Sequence, residues 1–96
     1  MRPRDTVGAV PAPRSLPARE PAPIAFGLAV RWYREERGWS QETLAFRCGL
    51  HPTYVGPIER GEKSPTITTV FKLSAGLEVR PAQLVEAAER FLDGGP

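Results

Sequence analysis

The placement of glycine and proline divides this 96-residue chain more firmly than any other feature. Glycine readily takes the left-handed backbone that stops a helix, and proline fits a helix's first position, where its missing N–H would be unpaired anyway. Gly38, Gly49 and Gly61 stand where helices should end, and Pro52, Pro65 and Pro81 where new ones should begin. Between these marks the apolar residues recur with helical period: Phe26, Val30 and Tyr33; Leu44, Ala45 and Cys48; Val55 and Ile58; Ile67, Val70, Leu73 and Leu77; Leu84, Val85, Ala88 and Leu92. No stretch alternates as a strand would. The expected fold is all-α, five short helices over residues 24–93, the first starting at Ile24.

Local chemistry sharpens these boundaries. Ser40 suits the N-cap of the second helix, with Trp39 and Leu44 placed to staple it, and Gly49 supplies the corner after Cys48. His51 becomes the N-cap of the third helix. Pro57 lies inside that helix, where it deletes the bond to the Thr53 carbonyl at a cost of about 3 kcal/mol in a regular helix, so a bend or tighter pitch is expected near Gly56.

Residues 1–23 hold Pro3, Pro11, Pro13, Pro17, Pro21 and Pro23, which break helix and strand patterns alike; a disordered or polyproline-like leader is expected. It is either a passive tail or a basic arm that follows DNA phosphates, as N-terminal arms do in some DNA-binding proteins. The formal net charge of +2 comes from this leader, because residues 24–96 hold equal numbers of basic and acidic side chains. One Cys excludes an internal disulfide, and with one His it leaves too few soft ligands for zinc, so no metal or cofactor is expected. No apolar run suggests a signal peptide or membrane span, and a cytoplasmic address is expected.

The most informative segment is residues 41–60, QETLAFRCGLHPTYVGPIER. Two helices cross steeply here only if a small residue sits at their closest approach, glycine takes the turn and branched apolar residues fill the angle. Ala45, Gly49, Val55 and Ile58 meet those needs. With Gly38, Ser40, Gln41, Leu50, Tyr54, Glu59, Arg60, Gly61, Pro65 and Leu77 in register, the chain resembles the lambda-repressor and Cro-like (XRE) helix-turn-helix family over about residues 26–85.

The resemblance implies a five-helix domain that binds double-stranded DNA as a transcriptional regulator, with its third helix in the major groove. Carried over by position, Gln41 contacts a phosphate or is a solvated first-turn residue, Tyr54 contacts a phosphate or packs on helix two, and Arg60 and Lys63 support DNA binding. Base reading falls to His51, Pro52, Thr53, Gly56 and Pro57, none of which is an Arg, Lys, Asn or Gln able to make paired bonds to a base edge. Weak specificity supported by DNA shape is the expected consequence. Arg34 and Glu59 resemble the family's structural ion pair rather than a DNA contact. Glu78 stands where glycine commonly closes helix four and Arg80 where a capping Ser or Thr is usual, at some local cost.

Cys48 reads as a small core residue, and no nucleophile, base and orienting group occur together, so an enzyme is not expected. Leu28 and Trp32 lie one turn apart off the buried stripe of helix one, marking a protein-partner surface or a surface for the leader to pack on. Phe91 and Leu92 on helix five form a second apolar candidate. A homodimer follows physically, since two weak half-sites multiply when linked. Restriction-modification controllers and antitoxins are among the short family members with this layout. The alternative to a DNA-binding regulator is a protein-interaction module that keeps the fold but binds DNA weakly.

Overall fold

Helix α1 begins earlier than its apolar stripe suggests, at Pro21 rather than Ile24, and runs Pro21–Glu36. The first four N–H groups of any helix lack an internal partner, so Pro21 and Pro23 remove nothing that the first turn uses. The computed structural model describes residues 20–94; the rest of the leader, residues 1–19, and its expected disorder lie outside the described residues. After α1 come α2 (Gln41–Cys48), a 3₁₀ turn (Pro52–Tyr54), α3 (Val55–Glu59), α4 (Ile67–Leu77) and α5 (Pro81–Leu92). The fold is all-α, with five helices and no strand among the described residues.

The helices share one core: Phe26, Ala29 and Val30 of α1, Leu44, Ala45 and Cys48 of α2, Val55 and Ile58 of α3, Leu73 and Leu77 of α4, and Leu84 and Ala88 of α5. Each fully buried leucine or valine contributes about 1.5–3 kcal/mol relative to exposure. Helix α1 packs on α3 and α5, while α2 packs on α4 and α3. Three expected core residues, Ile67, Val85 and Leu92, turn outward. Ile67 is exposed because burial on α4 is confined to its second half, Leu73, Ser74, Gly76 and Leu77, so its first turn projects past the core. Val85 lies about 100° round the helix from buried Leu84 and is also exposed.

Two close approaches set the geometry. A Cβ on Gly27 would lie 2.2 Å from the Ile58 carbonyl oxygen and 2.6 Å from that of Glu59, so α1 meets the end of α3 backbone to backbone. A Cβ on Gly76 would lie 2.3 Å from Cys48 Sγ, where α4 crosses α2. The end of α4 is closed by Glu78 in the left-handed conformation, φ 63°. Arg80 offers no acceptor to cap α5, but Gln83 Oε1 accepts from the Arg80 N–H at 2.8 Å and satisfies part of that helix end.

Candidate nucleic-acid interface

Local bonds build the corner between α2 and α3. Ser40 Oγ accepts from the Thr43 N–H at 3.0 Å and caps α2. At its other end Gly49 takes φ 70°, and the Leu50 N–H reaches back to the Ala45 carbonyl at 2.9 Å, closing the helix with a left-handed cap. His51 Nδ1 accepts from the Thr53 N–H at 3.2 Å and lies 2.8 Å from Thr53 Oγ1. With Nδ1 accepting, Nε2 is the nitrogen that carries the ring proton and can donate outward.

Pro57 explains why the tight pitch falls ahead of Gly56 rather than at it. The chain makes a 3₁₀ turn over Pro52–Tyr54, with the Tyr54 N–H on the His51 carbonyl at 3.0 Å, and only then starts α3 at Val55. Pro57 thereby falls in the first turn of α3, where no internal N–H bond is lost. The expected mid-helix penalty is avoided by shortening the helix. A second correction concerns Gly56, expected to face outward: it is buried, and an added Cβ would lie 3.1 Å from Arg60 Nη1 and 3.4 Å from Gln41 Oε1. Two long side chains cover the place where a larger residue would project.

A five-residue helix cannot hold its own orientation, and here a buried ion pair does so. Arg34 Nε donates to Glu59 Oε2 at 2.6 Å and its Nη2 to Oε1 at 2.9 Å, while Nη1 donates to the Trp39 carbonyl at 2.8 Å. Gln41 Nε2 donates to Glu59 Oε1 at 2.9 Å. Glu59 is only 6% exposed, so one carboxylate gathers α1, the α1–α2 turn, the start of α2 and the end of α3. Its hydrogen bonds hold the Arg34 pKa above the ordinary guanidinium value.

His51, Pro52, Thr53 and Tyr54 are exposed together on the 3₁₀ turn, with Pro57 half-buried beyond them. Arg60 pairs with Glu62 through Nε at 2.9 Å and Nη2 at 3.2 Å, which raises its pKa. Lys63 lies over the Tyr54 ring, Nζ 6.0 Å from the centroid, at a cleft also lined by Ile58, Pro65, Thr66 and Thr69. The amide nitrogen of Gln41, expected by position at a phosphate, donates to Glu59 in this structure. Leu28, Trp32, Phe91 and Leu92, expected as two surfaces, adjoin in one groove between α1 and α5, with Phe91 lining both of its halves.

Sequence periodicity left several features unremarked. Trp39 carries Arg47 over its ring at 4.2 Å and Arg37 at 5.9 Å. Phe46 is 85% exposed, as its place off the Leu44, Ala45 and Cys48 stripe allows. Among the described residues no His, Cys, Asp and Glu side chains cluster as metal ligands would, and no helix is long and apolar enough to cross a membrane.

The family model described as Helix-turn-helix matches residues 30–84, spanning the corner, α3 and the ion pair that holds it. The chain belongs to the helix-turn-helix family. Within it the chain is of the lambda-repressor and Cro-like type of DNA-binding transcription regulator, as the register of residues 41–60 implied. It is 41% identical over 64 residues to Control protein C.BamHI of Bacillus amyloliquefaciens, covering 66% of this chain and 79% of that protein. The crystal structure of the restriction-modification controller protein C.AhdI from Aeromonas hydrophila superposes with a TM-score of 0.63 at 40% identity, over 65% of this chain and 94% of that one. The hypothetical transcription factor NHTF from Neisseria gives a TM-score of 0.64 at 34% identity, over 78% and 86%. The helix-turn-helix corner and its ion pair fall inside the matched region.

Proposed function

We propose that this helix-turn-helix protein is a sequence-selective regulator, cytoplasmic and not an enzyme, that lays α3 in the major groove of duplex DNA as a homodimer. The observation that carries the reading is the anchoring of α3: Val55, Ile58 and Glu59 face inward while His51, Pro52, Thr53 and Tyr54 stand exposed on the same short segment. Thr53 offers a methyl and a hydroxyl to a thymine or a base acceptor, and His51 Nε2 offers one donor. Gln41, Tyr54, Arg60 and Lys63 flank this edge as phosphate contacts, with Pro57 adding apolar contact beside them. The dimer reading draws on exposed Ile67 and Phe71, one turn apart on α4, and exposed Val85 on α5. Similarity to restriction-modification controllers favours a regulator of that kind.

A second reading, a protein-interaction module on the same fold, is favoured by one observation: the exposed residues 51–54 ahead of α3 include no Arg, Lys, Asn or Gln. Fluorescence anisotropy against genome-derived and random duplexes at two salt concentrations separates the two. The regulator reading expects Lys63→Ala to weaken binding to all duplexes and flatten the salt dependence by about one unit of slope, and Thr53→Ala to weaken only the preferred duplex. Binding no better than to bulk competitor at low salt overturns it in favour of the interaction module.

A further inference from the structure

The proposed DNA-binding edge leaves unused an apolar groove between α1 and α5. Pro21, Ile24, Ala25 and Leu28 of α1 and Phe91 and Leu92 of α5 line one cavity, and Phe91 also lines an adjoining one with Trp32, Tyr33, Ala87 and Arg90. Trp32 is 45% exposed and meets Tyr33 edge to face at 5.0 Å, leaving an aromatic surface open to a ligand. A tryptophan so placed beside leucines is far more apolar than a solvent-facing helix side requires.

We propose that this groove is the docking site of the chain's own N-terminal segment, residues 7–17, VGAVPAPRSLP. Three observations select that occupant. The segment joins the domain at the groove itself, because residues 1–19 lead through Glu20 directly into Pro21, which is part of the wall. Its chemistry fits: Val7, Val10 and Leu16 are interspersed with Pro11, Pro13 and Pro17, and proline-rich extended chain packs on aromatic-lined grooves at low entropic cost because proline has little freedom to lose. Its length is more than sufficient, since about half of the segment spans the groove. The groove follows α1 from Pro21 to Trp32, about 16 Å at helical rise. Residues 7–17 reach about 30 Å at ~3.1 Å per residue in polyproline geometry, with residues 18–20 left to reverse direction. None of the groove's lining residues belongs to α3, so the docked segment leaves the proposed DNA-binding edge open.

The test is carried out on the full chain by two-dimensional NMR, following the Trp32 indole N–H and the Leu28 and Leu92 methyls. The comparison is between wild type and a Val10→Ser, Leu16→Ser variant, whose changes fall on none of the residues that form the core of the described helices. Docking expects those three probes to shift in the variant, by the same amount at every protein concentration, while Val55 and Leu73 stay fixed. A wild type and variant with identical Trp32, Leu28 and Leu92 signals would overturn the proposal. So would probe positions that move with protein concentration alike in both proteins, which would assign the groove to a second copy.

Discussion

Arg34 and Glu59, 25 residues apart in sequence, are joined by two hydrogen bonds at 2.6 and 2.9 Å. Both side chains are largely withdrawn from water, at 12% and 3% exposure. Removing the guanidinium strands a buried carboxylate. Arg34→Ala is expected to lower unfolding free energy by about 3–5 kcal/mol in a urea titration. Arg34→Lys should recover only part of that loss, since an ammonium cannot serve both carboxylate oxygens and the Trp39 carbonyl in one plane.

Gln41→Ala removes the third donor to the same carboxylate, leaving the Arg34 fork intact. A hydrogen bond to a charged group is worth about 1.5–3 kcal/mol, so its loss in the same titration should fall clearly below that of Arg34→Ala.

Gly27→Ala tests the contact of α1 with α3. Alanine would gain about 1 kcal/mol of helix propensity. The new methyl, however, would lie 2.2 Å from a backbone oxygen, and backbone cannot step aside as a side-chain tip can. Overpacking of this kind costs about 1–3 kcal/mol and sometimes more, so the net change should be destabilising, with the urea midpoint lowered.

Glu78→Gly should act in the opposite direction. The left-handed conformation at φ 63° costs a side-chain-bearing residue about 1–2 kcal/mol, partly offset by the larger freedom of glycine in the unfolded chain. The ion pair with Arg47, 3.1 Å long and exposed, contributes little. A net gain of about 0.5–1 kcal/mol would raise the thermal midpoint by a few degrees.

Burial pushes the Cys48 thiol from its ordinary 9.0 up to about 11. The folded chain therefore keeps this proton between pH 9 and 11 while the unfolded chain releases it, so stability falls as pH rises through that window. Urea titrations at pH 8 and pH 10 should show the decline in wild type to be steeper than in Cys48→Ala. Alkylation of the thiol near pH 8 should be slow until the protein unfolds.

The parts of this architecture that could be read from sequence are those whose causes are local. Ser40, Gly49 and His51 announce helix ends through bonds to residues two or three positions away, and the structure has each of them in that role. The stripe from Phe26 to Val30 gave the buried side of α1 but not its start, because proline in a first turn looks like a breaker until the helix is seen to begin on it. Gly27 and Gly76 were illegible, since the atoms that forbid a side chain there belong to α3 and α2. Ile67 kept the period of α4, yet period reports a face and not how far the core extends along it. Within the candidate interface, position located Arg34, Glu59 and Gln41, but not that all three share one carboxylate, nor that Gly56 lies beneath Arg60.

The division of labour along residues 51–59 has a consequence for how such a protein can change its target. Everything that orients α3 lies on Val55, Ile58 and Glu59, whereas Pro52 and Thr53 are exposed. Substitutions at those two positions should alter what the segment recognises while scarcely disturbing the scaffold. His51 is less free, because its ring also caps the turn, and only residues with a short acceptor side chain would replace it without loss. Under the proposed function this edge is an exchangeable cassette with one fixed clasp, so that new specificity arises by a few substitutions without a fresh round of stabilisation.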